Sequence, residues 1–130
     1  FSTDSLPKDL IGWDWFAIRS LDGKKSLMVY LLRDSKGYTK SSMATLTVNG
    51  ESETVFMNNE ITIRAMGTSP YPTGWHITLG QDRYTIVAIT KDQEFVSPNA
   101  SYYEGGITCS GAMIGEGHME LTGYRNPVRF

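Results

Sequence analysis

The sequence predicts an all-β domain in which about ten short strands form an antiparallel barrel or sandwich. Runs dense in β-branched and aromatic residues recur along the chain, and turn signals such as Asn49-Gly50 separate them. No window repeats apolar residues at helical spacing over three turns, so a long amphipathic helix is not expected. Closure into a barrel is favoured because it removes exposed strand edges.

The candidate strands follow one another with turns rich in Gly, Asn and Asp between them. Each run is short enough to cross a small barrel once. In chain order they are Trp13–Arg19, Ser26–Arg33, Ser42–Val48, Thr54–Met57, Ile61–Met66, Trp75–Leu79, Arg83–Thr90, Gln93–Val96, Tyr102–Ser110 and His118–Tyr124.

Several of these strands are apolar on both faces. In Ser26–Arg33, Leu27 and Val29 alternate with Met28 and Tyr30. An antiparallel sheet with one solvated face alternates more cleanly between apolar and polar residues. We therefore expect the inner face to hold a core or a ligand, and the outer face is a candidate contact for another domain or subunit.

The composition excludes several classes of protein. The 130 residues suffice for one domain, 1–130. Twelve basic and fourteen acidic residues give a net charge of −2, so the basic stripe of a nucleic-acid-binding protein is not expected. No apolar run is long enough to span a bilayer, and Phe1–Leu10 does not resemble a signal peptide.

Metal and cofactor chemistry is not indicated either. The single cysteine, Cys109, allows no internal disulfide and no Cys-rich zinc site, and we expect it to be a small buried hydrophobe. His76, which alternates with apolar neighbours, is expected on the surface, and His118 adds no regular ligand spacing. Gly115-x-Gly117 is interpreted as a turn that precedes no helix and cradles no phosphate. The sequence predicts no metal and no cofactor.

Aromatic residues are the candidate ligand contacts. Trp13 and Trp15 lie at i and i+2 on one strand and therefore project from one face. They form either a pocket wall for an apolar, polyunsaturated ligand or a plug of the barrel core. Tyr30 and Tyr124 offer hydroxyls that either contact a ligand or lie at the rim of the packed strands. Asp14 faces away from the tryptophans and is interpreted as a turn or interface partner rather than an acid.

Glu104 and Glu120 are the candidate catalytic acids. A carboxyl group in apolar surroundings has a raised pKa, which suits proton donation to an alkene or an enol. The alternative is a carboxylate on the solvated face, because Glu120 alternates with Met119 and Leu121. If the apolar faces point inward, both glutamates lie outside. A Ser-His-Asp hydrolase is not indicated, since the chain has no Gly-x-Ser-x-Gly elbow.

An ordered set of motifs covers almost the whole chain and resembles a known family. The motifs are Gly12-Trp13-Asp14-Trp15-Phe16, Leu27-Met28-Val29-Tyr30 with Arg33, Gly74-Trp75-x-Ile77, Asp92-Gln93-Glu94, Tyr102-Tyr103-Glu104-Gly105 and Gly115-x-Gly117-x-Met119-Glu120-Leu121-Thr122-Gly123-Tyr124. Together they resemble the second half of the AttH and carotenoid-hydratase-like family. Tyr103 stands where that family has a tryptophan, and the Asp-His-Glu-type motif that usually precedes this segment is absent.

The resemblance implies a lipocalin-like (calycin) β-barrel of about eight to ten strands. Family members have two such domains, so the chain is expected to be the C-terminal half of a longer protein. Its partners would be a hydrophobic small molecule and its own N-terminal lipocalin-like domain or another subunit, with no nucleic acid and no membrane span. Some members are described as secreted hydrolases, which implies a secreted or periplasmic location; others are hydratases and polyene cyclases.

Three functional hypotheses follow. In the first, the domain binds a terpenoid or polyene-like molecule in or beside the barrel, through Trp13, Trp15, Tyr30, Tyr103 and Tyr124. In the second, it is part of a hydratase, isomerase or cyclase with Glu104 or Glu120 as the proton donor. In the third, it is a structural domain that supports a catalytic partner domain.

Overall fold

Ten β-strands and one short 3₁₀ helix make up the part of the chain that the computed structural model describes, which is residues 9–67, 71–90, 93–96 and 101–124. The strands are β1 (Leu10–Ser20), β2 (Lys25–Asp34), β3 (Thr39–Val48), β4 (Ser52–Met57), β5 (Ile61–Met66), β6 (Gly74–Leu79), β7 (Asp82–Ala88), β8 (Glu94–Val96), β9 (Ser101–Gly111) and β10 (Gly115–Thr122). The 3₁₀ helix, Asn58–Glu60, joins β4 to β5.

The strands form one antiparallel sheet that curls into a nearly closed barrel. Its order is β4-β3-β2-β1-β10-β9-β7-β6-β5, and β8 pairs with the first part of β9. The pairing of β1 with β10 brings the two ends of the described chain together. Between β4 and β5 no strand pairing is present among the described residues, and this line is the seam of the barrel.

The predicted fold class is confirmed, and all ten candidate strands are present. Most predicted ends lie within one to three residues of the observed ends. The last strand differs most, because it starts at Gly115 and ends at Thr122 rather than spanning His118–Tyr124. Gly115-x-Gly117 is therefore part of β10 and not a turn, since these glycines let β10 pass close to the backbone of β1.

The barrel interior is filled by the chain's own side chains. Phe16 and Ile18 of β1 point inward, and Phe16 makes an edge-to-face contact with Trp75 at 5.2 Å between ring centroids. Cys109 is buried and free, as the sequence predicted. The other large members of this core are Leu27, Val29, Ile77, Leu79, Tyr84, Ile86, Ile107, Met113, Met119 and Leu121.

Part of the outer face is also apolar, as the alternation of residues predicted. The outward residues of β1 and β2, including Trp13, Trp15, Met28 and Tyr30, are neither fully buried nor fully exposed. His76, on the outer face of β6, is exposed as expected. Within the described residues no helix is long and apolar enough to cross a membrane.

Candidate functional site

An aromatic groove runs over the outer face of β1, β2 and β10. It has a volume of about 450 Å³ and is lined by Trp13, Trp15, Met28, Tyr30 and Glu120. These side chains meet because the antiparallel register places Trp15 opposite both Tyr30 and Glu120. The strand alternation then puts Trp13 on the same face, two residues before Trp15.

One carboxylate, that of Glu120, holds an indole ring of the aromatic groove in place. The indole Nε1 of Trp13 donates a hydrogen bond of 3.0 Å to Oε1 of Glu120. The main-chain N–H of Trp13 donates to Oγ1 of Thr122 at 2.9 Å, which holds the start of β1 against β10. A rigid indole wall beside a single anchored carboxylate is an arrangement that binds apolar ligands with a defined orientation.

Glu104 lies next to this groove, on the same outer face. It is the cross-strand neighbour of Glu120 in the β9–β10 pair. Its Oε1 lies 3.1 Å from Nε2 of His118, and both side chains are more than one-third exposed. Both glutamates therefore point outward, as their alternation with apolar residues predicted.

A second cluster of polar groups is buried at one end of the barrel, and we call it the buried acid cluster: Asp14, Arg33, Thr122 and Tyr124. Asp14 is fully buried, and its Oδ2 lies 3.3 Å from Nε of Arg33. The Tyr124 hydroxyl donates to the same oxygen at 2.9 Å. Among the described residues Oδ1 of Asp14 has no hydrogen-bond partner. The carboxyl group therefore keeps one acceptor available for water or a ligand.

Burial dominates the electrostatics of this cluster. It raises the pKa of Asp14 from 3.8 to about 7, because desolvation outweighs the opposing effects of Arg33 and Tyr124. The pKa of Tyr124 is also raised, by burial and by the neighbouring carboxylate, so its hydroxyl stays protonated and acts as a donor. A carboxyl group with a pKa near neutrality can both give and accept a proton under ordinary conditions.

Two glycines make room for the buried acid cluster. A Cβ on Gly12 would lie 2.8 Å from Nη2 of Arg33, which donates to the main-chain carbonyl of Thr122. Gly123 has a φ of +80° and packs against the backbone of Ile11. This left-handed residue ends β10 and turns the chain so that the ring of Tyr124 lies 4.0 Å from the guanidinium carbon of Arg33.

Two further tyrosines, Tyr71 and Tyr103, extend the buried acid cluster across the same end of the barrel. The ring of Tyr71 lies between those of Tyr124 and Tyr103, with centroid separations of 5.7 and 5.8 Å. The Tyr71 hydroxyl donates to Glu94 at 2.6 Å, and the Tyr103 hydroxyl donates to the carbonyl of Thr90. Burial raises the pKa of Tyr103, so this hydroxyl is a donor at neutral pH.

The structure divides the predicted site residues into two groups. Trp13, Trp15, Tyr30 and Glu120 come together in the aromatic groove, with Glu104 beside it. The other two tyrosines, Tyr103 and Tyr124, lie at the barrel end instead. Tyr124 follows Gly123, which turns the chain after β10 ends at Thr122, so its hydroxyl reaches Asp14 instead of the aromatic groove.

The interpretation of Asp14 as a turn or interface residue is wrong. Asp14 is buried inside the barrel, on the same face of β1 as Phe16 and Ile18. That alternation was visible in the sequence and could have marked Asp14 as an inward carboxylate. Its partners could not be identified in the same way, because Arg33 and Tyr124 belong to other strands and distant parts of the chain.

Within the described residues no group of three or more His, Cys, Asp or Glu side chains is placed to hold a metal ion. Of the Asp92-Gln93-Glu94 motif, Asp92 lies outside the described residues. Glu94 contacts Tyr71, as above.

Comparison with solved structures places this fold among known proteins. An AttH candidate from Nitrosomonas europaea matches with a TM-score of 0.83 and 27% identity over 95% of this chain. Kievitone hydratase from Nectria haematococca matches with a TM-score of 0.73 and 21% identity over 93% of this chain. This chain spans 42% and 41% of the length of those two chains. No curated protein matches in sequence.

The family model for AttH-like proteins matches residues 1–124. That range includes every residue of the aromatic groove and of the buried acid cluster. The chain belongs to the AttH-like family.

Proposed function

We propose that this domain binds a hydrophobic, unsaturated small molecule of the terpenoid or polyene type in the aromatic groove, beside the barrel rather than inside it. The observation that carries the proposal is the convergence of Trp13, Trp15, Tyr30 and Met28 around one carboxylate, Glu120. Flat indole and phenol rings stack well on conjugated carbon chains. The interior offers less room, because the core side chains fill it.

A neutral polyene tests this binding. Diphenylhexatriene should bind the protein with an increase in its own fluorescence and quench the tryptophan emission. Trp15→Ala should weaken the affinity about tenfold, because it removes one aromatic wall of the groove. The Trp75→Phe variant sharpens the readout, since its remaining tryptophans, Trp13 and Trp15, both line the groove.

Phe95→Ala is the matched control for this experiment. Phe95 is an exposed aromatic residue that stacks on Tyr102 outside the groove. Equal binding by wild type and Phe95→Ala, with weaker binding by Trp15→Ala, supports the proposal. Unchanged affinity of the Trp15→Ala variant for the probe would reject the groove as the binding site. An emission of Trp13 and Trp15 that does not change when the probe binds would reject it as well.

We propose a second candidate function, acid catalysis of water addition to an alkene, with Asp14 in place of the glutamates as proton donor. Its support is the raised pKa of Asp14, about 7, together with the unused Oδ1 acceptor. Glu104 is more than one-third exposed and pairs with His118, and Glu120 accepts from Trp13. The fold shared with kievitone hydratase is compatible with such chemistry.

In this mechanism the protonated Asp14 carboxyl transfers its proton to one alkene carbon, and water attacks the cation formed at the other. The carboxylate then takes a proton from the added water, which restores the starting state. Arg33 stabilises the carboxylate in the interval between these steps, at 3.3 Å from Oδ2. A substrate reaches Asp14 only if the rings that close this barrel end move aside.

Substitution in the full-length protein tests the acid. Asp14→Asn should lower the rate of hydration of an isoprenoid alkene about 100-fold, the typical contribution of a general acid. Mass spectrometry in water labelled with heavy oxygen would report the addition. Glu104→Gln and Glu120→Gln test the two glutamates, and Glu104→Gln, at a position that does not line the groove, is the control that should retain most activity. Loss of turnover in either glutamine variant, with Asp14→Asn active, would return the acid role to that glutamate.

We also propose that the groove is completed by a neighbouring part of the protein, either its own N-terminal lipocalin-like domain or another subunit. Apolar side chains continue past the groove, through Met43 and the half-exposed Met57, along one cross-strand row. Both structural relatives are more than twice as long as this chain. A domain that packed on this row would cover the apolar side chains and exclude water from a bound ligand.

A further inference from the structure

A second groove lies on the outer face of β5, β6 and β7, away from the strands that carry the aromatic groove. Its volume is about 530 Å³. In contrast with the aromatic groove, its outward side chains are two arginines, three threonines and one histidine. They are Thr62 and Arg64 from β5, His76 and Thr78 from β6, and Arg83 and Thr85 from β7, and the inward residues Ile77 and Tyr84 complete the lining.

The strand register explains why these side chains share one face. Arg64 pairs with His76, and His76 pairs with Thr85, which forms one row across the three strands. Thr62, Thr78 and Arg83 form the next row, two residues away. Because neighbouring strands lie about 5 Å apart, the Cα atoms of the two arginines are about 12 Å apart. Two arginine side chains can reach one ligand across that gap.

The charges in this groove are not balanced locally. Among the described residues neither Arg64 nor Arg83 forms a salt bridge, although the whole chain has a net charge of −2. Asp82 is next to Arg83 in the chain but pairs with the buried Leu79, so it belongs to the opposite face. Two guanidinium groups without carboxylate partners, in a concave site, favour an anion.

Hydroxyl and imidazole groups between the arginines supply the remaining donors. Nδ1 of His76 lies 3.2 Å from Oγ1 of Thr85, which fixes the orientation of the ring at the centre of the groove. Thr62 and Thr78 face each other across β5 and β6. Threonine hydroxyls and arginine forks are the usual protein donors to phosphoryl oxygens.

We propose that this cationic groove binds a soluble small molecule that carries a diphosphate or a similar group of closely spaced oxyanions. The two arginines would contact the ends of the group, and the threonine hydroxyls would contact its centre. The site is separate from the aromatic groove, since β9 lies between β10, which carries the aromatic groove, and β7. The two arginines would therefore dominate the recognition of this ligand.

Titration with sodium pyrophosphate at constant ionic strength tests the proposal. Backbone amide NMR shifts should change in β5, β6 and β7 and should saturate. Arg64→Gln and Arg83→Gln should each weaken the affinity about tenfold, because each removes one charge-assisted contact. All the variants replace outward side chains and are expected to fold; their amide spectra check this directly.

Arg19→Gln is the matched control, because it removes the same charge from an exposed position of β1 that faces Glu116. It should change the affinity by less than about twofold. Amide shifts that are dispersed over the whole surface would overturn the proposal. An unchanged affinity for pyrophosphate in the variant that combines Arg64→Gln with Arg83→Gln would overturn it as well. A third result would also overturn it: no binding of pyrophosphate, together with sedimentation of the protein with phosphatidylglycerol vesicles that is lost when both arginines are replaced. The ligand would then be a membrane surface.

Discussion

The free energy of unfolding of the wild-type protein will fall as the pH rises from 4 to 7, and Asp14→Asn will remove most of this decrease. Burial raises the pKa of Asp14 from 3.8 in the unfolded chain to about 7 in the folded chain. The folded state therefore binds more protons across this window, and the free energy of unfolding falls as the pH rises. Protonation of Asp14 contributes about 4 kcal/mol to the free energy of unfolding. This contribution is fully present below pH 3.8 and is lost as the pH rises through about 7.

Urea unfolding at pH 4, 5.5, 7 and 8 measures this effect. The wild-type free energy of unfolding should decline over the series, and the Asp14→Asn curve should be flatter. Asp9→Asn is the control, because Asp9 is half exposed and pairs with Lys40 at the surface at 3.7 Å. Parallel curves for wild type and Asp14→Asn would show that Asp14 titrates normally in the folded protein.

Gly117→Ala will destabilise the protein by about 3 kcal/mol, the upper end of what forced overpacking costs. A Cβ at this position would lie 1.9 Å from the carbonyl oxygen of Ala17 and 2.8 Å from Cα of Ile18. Both atoms belong to the backbone of β1, so the clash is relieved only by moving β1 away from β10. That movement would also disturb the hydrogen bond from the indole of Trp13 to Glu120.

Gly106→Ala is the matched control in the neighbouring strand. Its added Cβ would meet Cδ1 of Ile89 at 3.2 Å, the end of a flexible and exposed side chain. We expect this variant to lose less than about 1 kcal/mol. Thermal or urea unfolding distinguishes the two, and equal stability of Gly117→Ala and Gly106→Ala would refute the close crossing of β1 and β10.

Much of the fold was predictable because its signals are local. Alternating residues and turn-forming pairs identified all ten strands. The same alternation predicted that Trp13 and Trp15 share a face, that both glutamates lie outside, and that His76 is exposed. These properties follow from a period of two residues and need no knowledge of which strands are neighbours.

The buried acid cluster was not predictable to the same extent, because its members come from distant strands. Asp14 meets Arg33 through the pairing of β1 with β2, and it meets Tyr124 only because Gly123 turns the chain at the end of β10. An aspartate is ordinarily a surface residue, which argued against an inward position. The cationic groove was missed for a related reason, since Arg64 and Arg83 become neighbours only through β6.

The seam between β4 and β5 has a mechanical consequence for the barrel. Around the rest of the wall each strand is tied to its neighbours by main-chain hydrogen bonds, whereas the seam has none among the described residues. Widening the barrel at this line therefore breaks no main-chain hydrogen bonds between paired strands of the described chain. The short 3₁₀ helix Asn58–Glu60 joins the two edge strands and can act as their hinge. Opening the barrel at the seam therefore costs fewer main-chain hydrogen bonds than opening it between any paired strands of the described chain.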